Sequence, residues 1–188
     1  LLVAAWLAAL PSISNASSAV WKVSKGDSTL YLGGTIHMLS ENDFPLPQSY
    51  EQAFARSRLI IFETDINALS NPVFIKRMTE ELVFTDGREL SDVLAADKLE
   101  KLNAHLKGFG VEPKFFHRYR PAGLAVTLTL FEYQRRGYTE QGVDAFYWQR
   151  ALKAGKEVSY LETLDEQVGF IRAMHSVNSD KMVERILE

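Results

Sequence analysis

Three short runs of strand-forming residues limit the folds open to this chain more than any other feature of its sequence. They occupy residues 28–33 (STLYLG), 58–62 (RLIIF) and 157–161 (EVSYL), and helical patterns fill most of the sequence between them. A strand, helix, strand order is typical of layered α/β proteins, and an α+β arrangement is the alternative. We therefore expect one α/β domain, with a helical segment inserted before the last strand of its β-sheet.

Turn residues and apolar spacing predict the remaining secondary structure. A further strand pattern at residues 19–23 is separated from the first run by Gly26 and Asp27, which predicts a β-hairpin. Helices are expected over residues 47–56, 97–106, 121–136 and 142–154, from near Asp165, and from Asp180 to the end. We expect Asp97 to be the N-cap of the second of these helices and Gly108 to end it.

The N-terminus has the pattern of a secretory signal peptide. Residues 1–10 (LLVAAWLAAL) are apolar and uncharged, and the small or polar residues 12–19 follow a proline. Small residues before Val20 predict cleavage after Ala19 and export to the bacterial periplasm. An uncleaved envelope anchor and a buried helix are the alternatives, although a membrane span needs roughly 20 apolar residues.

Residues 20–188 are long enough to form one domain with a core of its own. No second long apolar segment appears in them, so no other membrane span is expected. Because the sequence stops at Glu188 within a helical pattern, we expect the C-terminal portion of this domain to be missing. The sequence leaves the oligomeric state open.

Composition excludes several kinds of site. The chain has no cysteine, which excludes disulfide bonds, thiolate metal ligands and thiolate nucleophiles. Its net charge is −3, and no cluster of lysine and arginine offers a track for phosphates. We therefore expect no nucleic-acid partner.

Each of the three strand runs leads directly into a residue that can bind a metal or move a proton. His37 follows the first run after a pair of glycines, Glu63 follows the second run, and Glu162 follows the third. If the strands lie parallel in one sheet, these residues meet at its carboxyl edge, where open α/β sheets bind ligands. One imidazole and two carboxylates suit Mn²⁺, Fe²⁺, Co²⁺ or Zn²⁺. The same groups can instead serve as general base and acid without a metal.

Gly33 and Gly34 would let a substrate backbone approach the sheet beside His37, or they form only a bulge or tight bend. The carboxylates also have structural alternatives. Glu63 and Asp65 would then cap the next helix or pair with an arginine.

Other polar and aromatic residues are predicted to be structural. Thr163 and Glu166 have the spacing of a helix capping box, which would leave Glu162 a favourable charge at a helix N-terminus. The other histidines are expected to lie near helix ends or in packing positions. They are His105, His117 and His175. The aromatic residues 146–148 are expected to pack in the core.

Three blocks of sequence resemble the TraB/GumN family in the same order. Residues 30–37 (LYLGGTIH), followed by residues 45–47 (PLP), resemble the opening of these proteins, whose GxxH motif is at residues 34–37 here. Residues 60–63 (IIFE) resemble the family's strand that ends in glutamate. Residues 142–144 (GVD), before the short strand and its glutamate, resemble the third block. The resemblance runs from about Val20 to the end of the chain.

The resemblance implies a fold shared with Tiki-type metalloproteases and, more distantly, with erythromycin-esterase-like and ChaN-like proteins. It implies a peptidase-like hydrolase that uses a divalent ion, Mn²⁺ or Co²⁺, and acts on a peptide or protein substrate. His37 and Glu63 would be metal ligands or acid/base groups, Gly34 would shape the backbone beside them, and Glu162 and Asp144 would belong to the same site.

This sequence departs from the family pattern because it has no second GxxH motif after residue 140. We attribute this difference to the missing C-terminal portion. Two alternatives to a metal-dependent hydrolase remain. One is a metal-free hydrolase with His37 as base, and the other is an envelope binding protein for a metal, haem or a protein partner.

Overall fold

The computed structural model describes residues 19–187, so the predicted signal peptide lies outside the described residues except for Ala19. The strands are β1 (Val20–Lys25), β2 (Ser28–Gly33), β3 (Leu59–Phe62) and β4 (Glu157–Tyr160). The helices are α1 (Gln48–Arg56), α2 (Pro72–Leu82), α3 (Ala96–Gly108), α4 (Pro121–Arg135), α5 (Val143–Lys153), α6 (Leu164–Met174) and α7 (Ser179–Leu187). This mixture of helix and strand confirms the predicted fold class. Within residues 19–187, no helix is both long and apolar enough to cross a bilayer.

The predicted hairpin forms because its turn residue can adopt a left-handed conformation. Strands β1 and β2 pair antiparallel up to Lys25 and Ser28, and Gly26 between them has a φ of 56°. The hairpin leaves several large apolar side chains exposed to solvent. They are Trp21, Val23, Leu30 and Leu32. Since these four residues pair across the two strands, they form one apolar surface.

Strands β3 and β4 pair in parallel, with Leu59 opposite Glu157. Their alignment continues past the strand ends, because the N–H of Glu162 donates to the carbonyl oxygen of Glu63 at 2.8 Å. The structure differs from the prediction in one respect: within the described residues, the strands form two separate two-stranded sheets. A cleft lies between β2 and β3, and side chains of α1 and α5 line it together with these strands.

The helices between and after these strands pack around an apolar core. Its buried members are Leu90, Leu94, Leu102, Leu106, Phe116, Leu124, Leu128 and Val183. The prediction that Asp97 caps α3 is wrong, since Ala95 occupies the N-cap position. Among the described residues, no side chain caps α3, and the N–H of Ala95 itself donates to Asp180 of α7 at 3.1 Å. Asp97 lies in the first turn, where a carboxylate is favoured by the helix dipole.

A second core joins α5 to α1 and β3, and it supports the strand ends. Its buried members are Leu39, Phe62, Val143, Tyr147 and Ala151. Phe146 and Trp148 pack against this core, which confirms the structural role predicted for the aromatic segment. The phenol of Tyr147 and the guanidinium of Arg150 both donate to Glu51 of α1. These bonds fix the orientation of α5 relative to α1.

Replacing Glu51 with glutamine tests this link through the pH dependence of stability. The hydrogen bond from Arg150 holds the pKa of Glu51 below its ordinary value of 4.5. The stabilisation is therefore complete above pH 4.5 and is lost as the pH falls through the lower folded pKa. We expect Glu51→Gln to cost at most about 1 kcal/mol at pH 7, since both side chains are partly exposed. In urea unfolding, the difference in unfolding free energy between Glu51→Gln and wild type should shrink below pH 4.5. For the control Glu100→Gln, on α3, the difference from wild type should not shrink in this way.

Candidate functional site

The segment that follows β2 carries His37 and is held by main-chain contacts. The N–H of Gly34 donates to the carbonyl oxygen of Ala19 at 2.6 Å, and the phenol of Tyr50 donates to the carbonyl oxygen of Gly34 at 2.6 Å. A Cβ atom on Gly34 would lie 2.9 Å from the Cβ of Ala19, and one on Gly33 would lie 3.4 Å from the ring of Tyr50. Packing of the chain against itself therefore accounts for Gly34, whereas a side chain at position 33 would make an ordinary contact. That the two glycines shape a substrate path stays a prediction.

The start of α5 packs directly on the backbone beside His37. The N–H of Val143 donates to the carbonyl oxygen of Ile36 at 3.0 Å. A Cβ atom on Gly142 would lie 2.1 Å from that oxygen and 2.4 Å from the carbonyl carbon of His37. Only glycine at position 142 permits this approach. Because Asp144 belongs to the same segment, the close packing of Gly142 places Asp144 next to His37.

Asp144 lies in the first turn of α5 and is 9% exposed. Its Oδ2 atom lies 3.7 Å from Nδ1 of His37 and, among the described residues, has no hydrogen-bond partner. Burial raises the pKa of Asp144, and Glu63 adds to this shift, whereas the Thr35 hydroxyl and His37 oppose it. Asp144 is therefore a buried carboxylate that faces the histidine ring.

Glu63 approaches the other side of the same ring. Its Oε2 atom lies 3.6 Å from Nε2 of His37, so each ring nitrogen faces a different carboxylate. The side chain of His37 is 74% exposed, which leaves it accessible from solvent. A hydrogen bond from one ring nitrogen to a buried carboxylate would fix the orientation of such a histidine and leave its other nitrogen to bind a metal or take a proton.

Glu162 joins the group through a residue that the sequence analysis did not identify. Nε2 of Gln167 donates to Oε1 of Glu63 at 3.2 Å and to Oε2 of Glu162 at 2.5 Å. Gln167 thus links Glu162 to Glu63, which lies beside His37, although β2 is not in the same sheet as β3. That the three residues form one catalytic or metal site stays a prediction. In the sequence, Gln167 is marked only by its position near the start of the helix that follows Glu162, which by itself does not indicate a role at the site.

Other residues considered for the site have structural roles. Oδ1 of Asp65 accepts hydrogen bonds from the N–H groups of Asn67 and Ala68, which makes it a turn cap. Thr163 and Glu166 form the predicted capping box at the start of α6. The predicted helix-end histidines are found in the last turn of α3, for His105, and at the C-cap of α6, for His175. His117 bonds to the carbonyl oxygen of Lys114 instead.

The cleft between β2 and β3 has a volume of about 840 Å³, and Asp144 is the member of this group of residues that lines it. Strand residues such as Leu30, Leu32 and Leu59 also line it, together with Thr35. Its size falls within the range of small-molecule and peptide sites in proteins.

The donor atoms fit a divalent ion in their chemistry but do not complete a site. Imidazole and carboxylate are ligands for Mn²⁺, Co²⁺, Zn²⁺ and Fe²⁺, and the buried, unpartnered Oδ2 of Asp144 suits the outer partner of a ligating histidine. Nevertheless, within residues 19–187 no group of three or more histidine, aspartate or glutamate side chains is arranged to hold a metal ion. The described residues alone therefore do not form a complete metal site.

Comparison with known proteins agrees with the family resemblance. A profile of the TraB/PrgY/gumN family matches residues 19–188. Metalloprotease TIKI1 from Homo sapiens is 28% identical over 185 residues, which cover 84% of this chain and 35% of that protein. Metalloprotease TIKI1 from Danio rerio is 28% identical over 182 residues, or 82% and 35% of the two chains. Metalloprotease TIKI2 from Danio rerio is 26% identical over 162 residues, or 73% and 31%.

This chain thus spans about a third of the length of the relatives it matches. No solved structure matches it. The profile covers nearly all of the sequence, including the GxxH motif, Glu63, the GVD segment and Glu162. The chain belongs to the TraB/PrgY/gumN family.

Proposed function

We propose that this protein is a hydrolase of peptide bonds that depends on a divalent metal ion. The observation that carries the proposal is the position of His37, which lies between two carboxylates, one of which, Asp144, also lines an apolar cleft. Three relatives of low identity are named metalloproteases, which supports the same reaction class. Since those relatives are about three times as long, their complete activity is carried over here only as a proposal.

In this proposal, Nε2 of His37 and the carboxylates of Glu63 and Glu162 are the ligands. On metal binding, a small shift of the ring would let Oδ2 of Asp144, now 3.7 Å from Nδ1 of His37, accept a hydrogen bond from that nitrogen and leave Nε2 for the metal. Mn²⁺ and Co²⁺ are the ions proposed first, and Zn²⁺ and Fe²⁺ suit the same donors. The remaining coordination positions are left for water, substrate or a further protein group.

A bound divalent ion would supply Lewis-acid polarisation of the peptide carbonyl and a water of lowered pKa. The residues of the chain provide the rest of the chemistry. The carboxylate of Glu63 or Glu162 accepts the proton from the attacking water and returns it to the leaving amine. The apolar strand residues hold the substrate in the cleft, and the fixed ring of His37 keeps the reacting groups aligned.

We also propose that the protein works outside the cytoplasm, in the periplasm or attached to the envelope. Residues 1–19 carry the sequence pattern that supports export. An absence of cysteine is compatible with that compartment, because a large core can replace disulfide bonds there.

Removal of metal from the full chain tests the proposed reaction. After dialysis against a chelator, we expect cleavage of a broad peptide library to fall by at least about 100-fold, because the metal activates the nucleophile. Addition of Mn²⁺ or Co²⁺ should restore cleavage, whereas Mg²⁺, which prefers all-oxygen octahedral sites, should restore less.

Two outcomes would contradict the proposal. Cleavage that is unchanged by chelation would indicate a metal-free hydrolase, in which His37 acts as base and Asp144 orients it. That alternative has a specific basis in the 3.7 Å separation of Asp144 and His37. Tight metal binding without any cleavage would instead indicate an envelope binding protein.

A further inference from the structure

Gln167 connects the two glutamates of the candidate site through a single amide nitrogen. Its Nε2 atom donates to Oε1 of Glu63 at 3.2 Å and to Oε2 of Glu162 at 2.5 Å. Both glutamates follow paired strands, and their backbones are joined by the 2.8 Å bond from the N–H of Glu162. Gln167 lies on another element, the first turns of α6, with Val168 beside it in the core. Its backbone position is therefore fixed independently of the two carboxylates.

Holding the carboxylates of Glu63 and Glu162 side by side requires two hydrogen-bond donors between them. Two ionised carboxylates side by side repel each other and swing apart into solvent unless donors hold them. A primary amide has two N–H groups and can bond one oxygen of each glutamate. Glutamate or methionine at this position offers no N–H, whereas lysine would bring a positive charge that competes with a metal ion.

The two carboxylate oxygens of Glu63 also face different groups. Its Oε1 atom accepts from Gln167, and its Oε2 atom faces Nε2 of His37 at 3.6 Å. The hydrogen bond from Gln167 favours this orientation of the carboxylate, in which one oxygen is bound and the other faces the histidine.

We propose that Gln167 is a positioning residue that holds Glu63 and Glu162 in the geometry required for metal binding. The role rests on the proposed function, since it acts through the two glutamates. Gln167 itself touches neither substrate nor metal. A residue that orients metal ligands in this way is expected to affect affinity by roughly 10- to 100-fold when it is replaced.

Calorimetric titration of the full chain with Mn²⁺ tests the proposal. Gln167→Met keeps the length of the side chain but removes both donors, and we expect it to weaken Mn²⁺ binding by roughly 10- to 100-fold. Gln134→Met, on an exposed face of α4, is the matched control and should bind like wild type. Thermal unfolding of both variants shows whether either change disturbs the fold. Unchanged affinity in a folded Gln167→Met protein would overturn the proposal.

A double-mutant cycle separates positioning from a general loss of structure. If Gln167 acts through Glu162, then adding Gln167→Met to Glu162→Gln should cost less affinity than Gln167→Met alone. Additive losses in the cycle would contradict the role.

A wild-type chain that binds no Mn²⁺ would contradict the proposed function. The positioning role would then be tested separately by the side-chain amide signals of Gln167 in NMR spectra. Signals that move on both Glu63→Gln and Glu162→Gln would support it. Signals that move on neither would overturn it.

Discussion

Replacing His37 with alanine is expected to weaken divalent-metal binding and peptide cleavage by more than about 100-fold. The loss should exceed the roughly 10- to 100-fold effect of removing an outer partner, because His37 is a proposed ligand. Stability should change by only about 0.5 kcal/mol, since the side chain is 74% exposed and makes no close contact with the core. Calorimetry with Mn²⁺ and urea unfolding of the same preparations measure the two effects separately.

His105→Ala is the matched control for this experiment. His105 lies in the last turn of α3, where its ring packs against Phe109. This variant should retain metal binding and cleavage. If His37→Ala kept both properties as well, the histidine would have no part in the reaction, and the site proposed here would be wrong.

Replacing Gly142 with alanine is expected to destabilise the protein by about 3 kcal/mol and to disrupt the site at the same time. The new Cβ would lie 2.1 Å from the carbonyl oxygen of Ile36, and backbone atoms cannot move aside as a flexible side chain can. Overpacking of this kind costs roughly 1–3 kcal/mol, and the loss of the hydrogen bond from Val143 adds roughly 1 kcal/mol. For a chain of this length, each kcal/mol corresponds to roughly 2–4 °C in Tm.

Gly169→Ala on α6 is the control for Gly142→Ala. No other atom lies within 4 Å of the Cβ that this change would introduce, and alanine is the better helix former. Gly169→Ala should therefore leave Tm unchanged or raise it slightly, as scanning calorimetry can measure. A Gly142→Ala protein that is as stable as wild type and binds metal normally would show that α5 need not pack on the histidine segment.

Much of the fold was predictable because its turns and helix caps depend on residues that lie close together in the sequence. Gly26 has the left-handed φ that a hairpin turn requires, and Gly155 has a φ of 64° directly after α5. The spacing of Thr163 and Glu166 predicted the capping box that these two residues form. The glutamates that follow β3 and β4 meet because parallel strands end at the same edge, so this part of the site could be inferred from strand order.

The remaining features depend on contacts between distant segments, which spacing alone does not reveal. The start of α3 is anchored by the bond from the N–H of Ala95 to Asp180, 85 residues away, whereas local spacing indicated Asp97 as its N-cap. His37 reaches the glutamates because α5 packs on its backbone through Gly142, and not because β2 joins the sheet of β3. Gln167 was missed since a glutamine in a helix has no distinctive pattern until its partners are known.

The most direct test of the account is a crystal structure of the full chain soaked with Mn²⁺, measured for anomalous scattering from the metal. We predict one anomalous peak within about 2.0–2.3 Å of Nε2 of His37 and of carboxylate oxygens of Glu63 and Glu162, as for protein-bound transition metals generally. Gln167 should remain bonded to the second oxygen of Glu63. A peak at another position, or none near His37 under saturating Mn²⁺, would contradict the claim that these residues form a metal site.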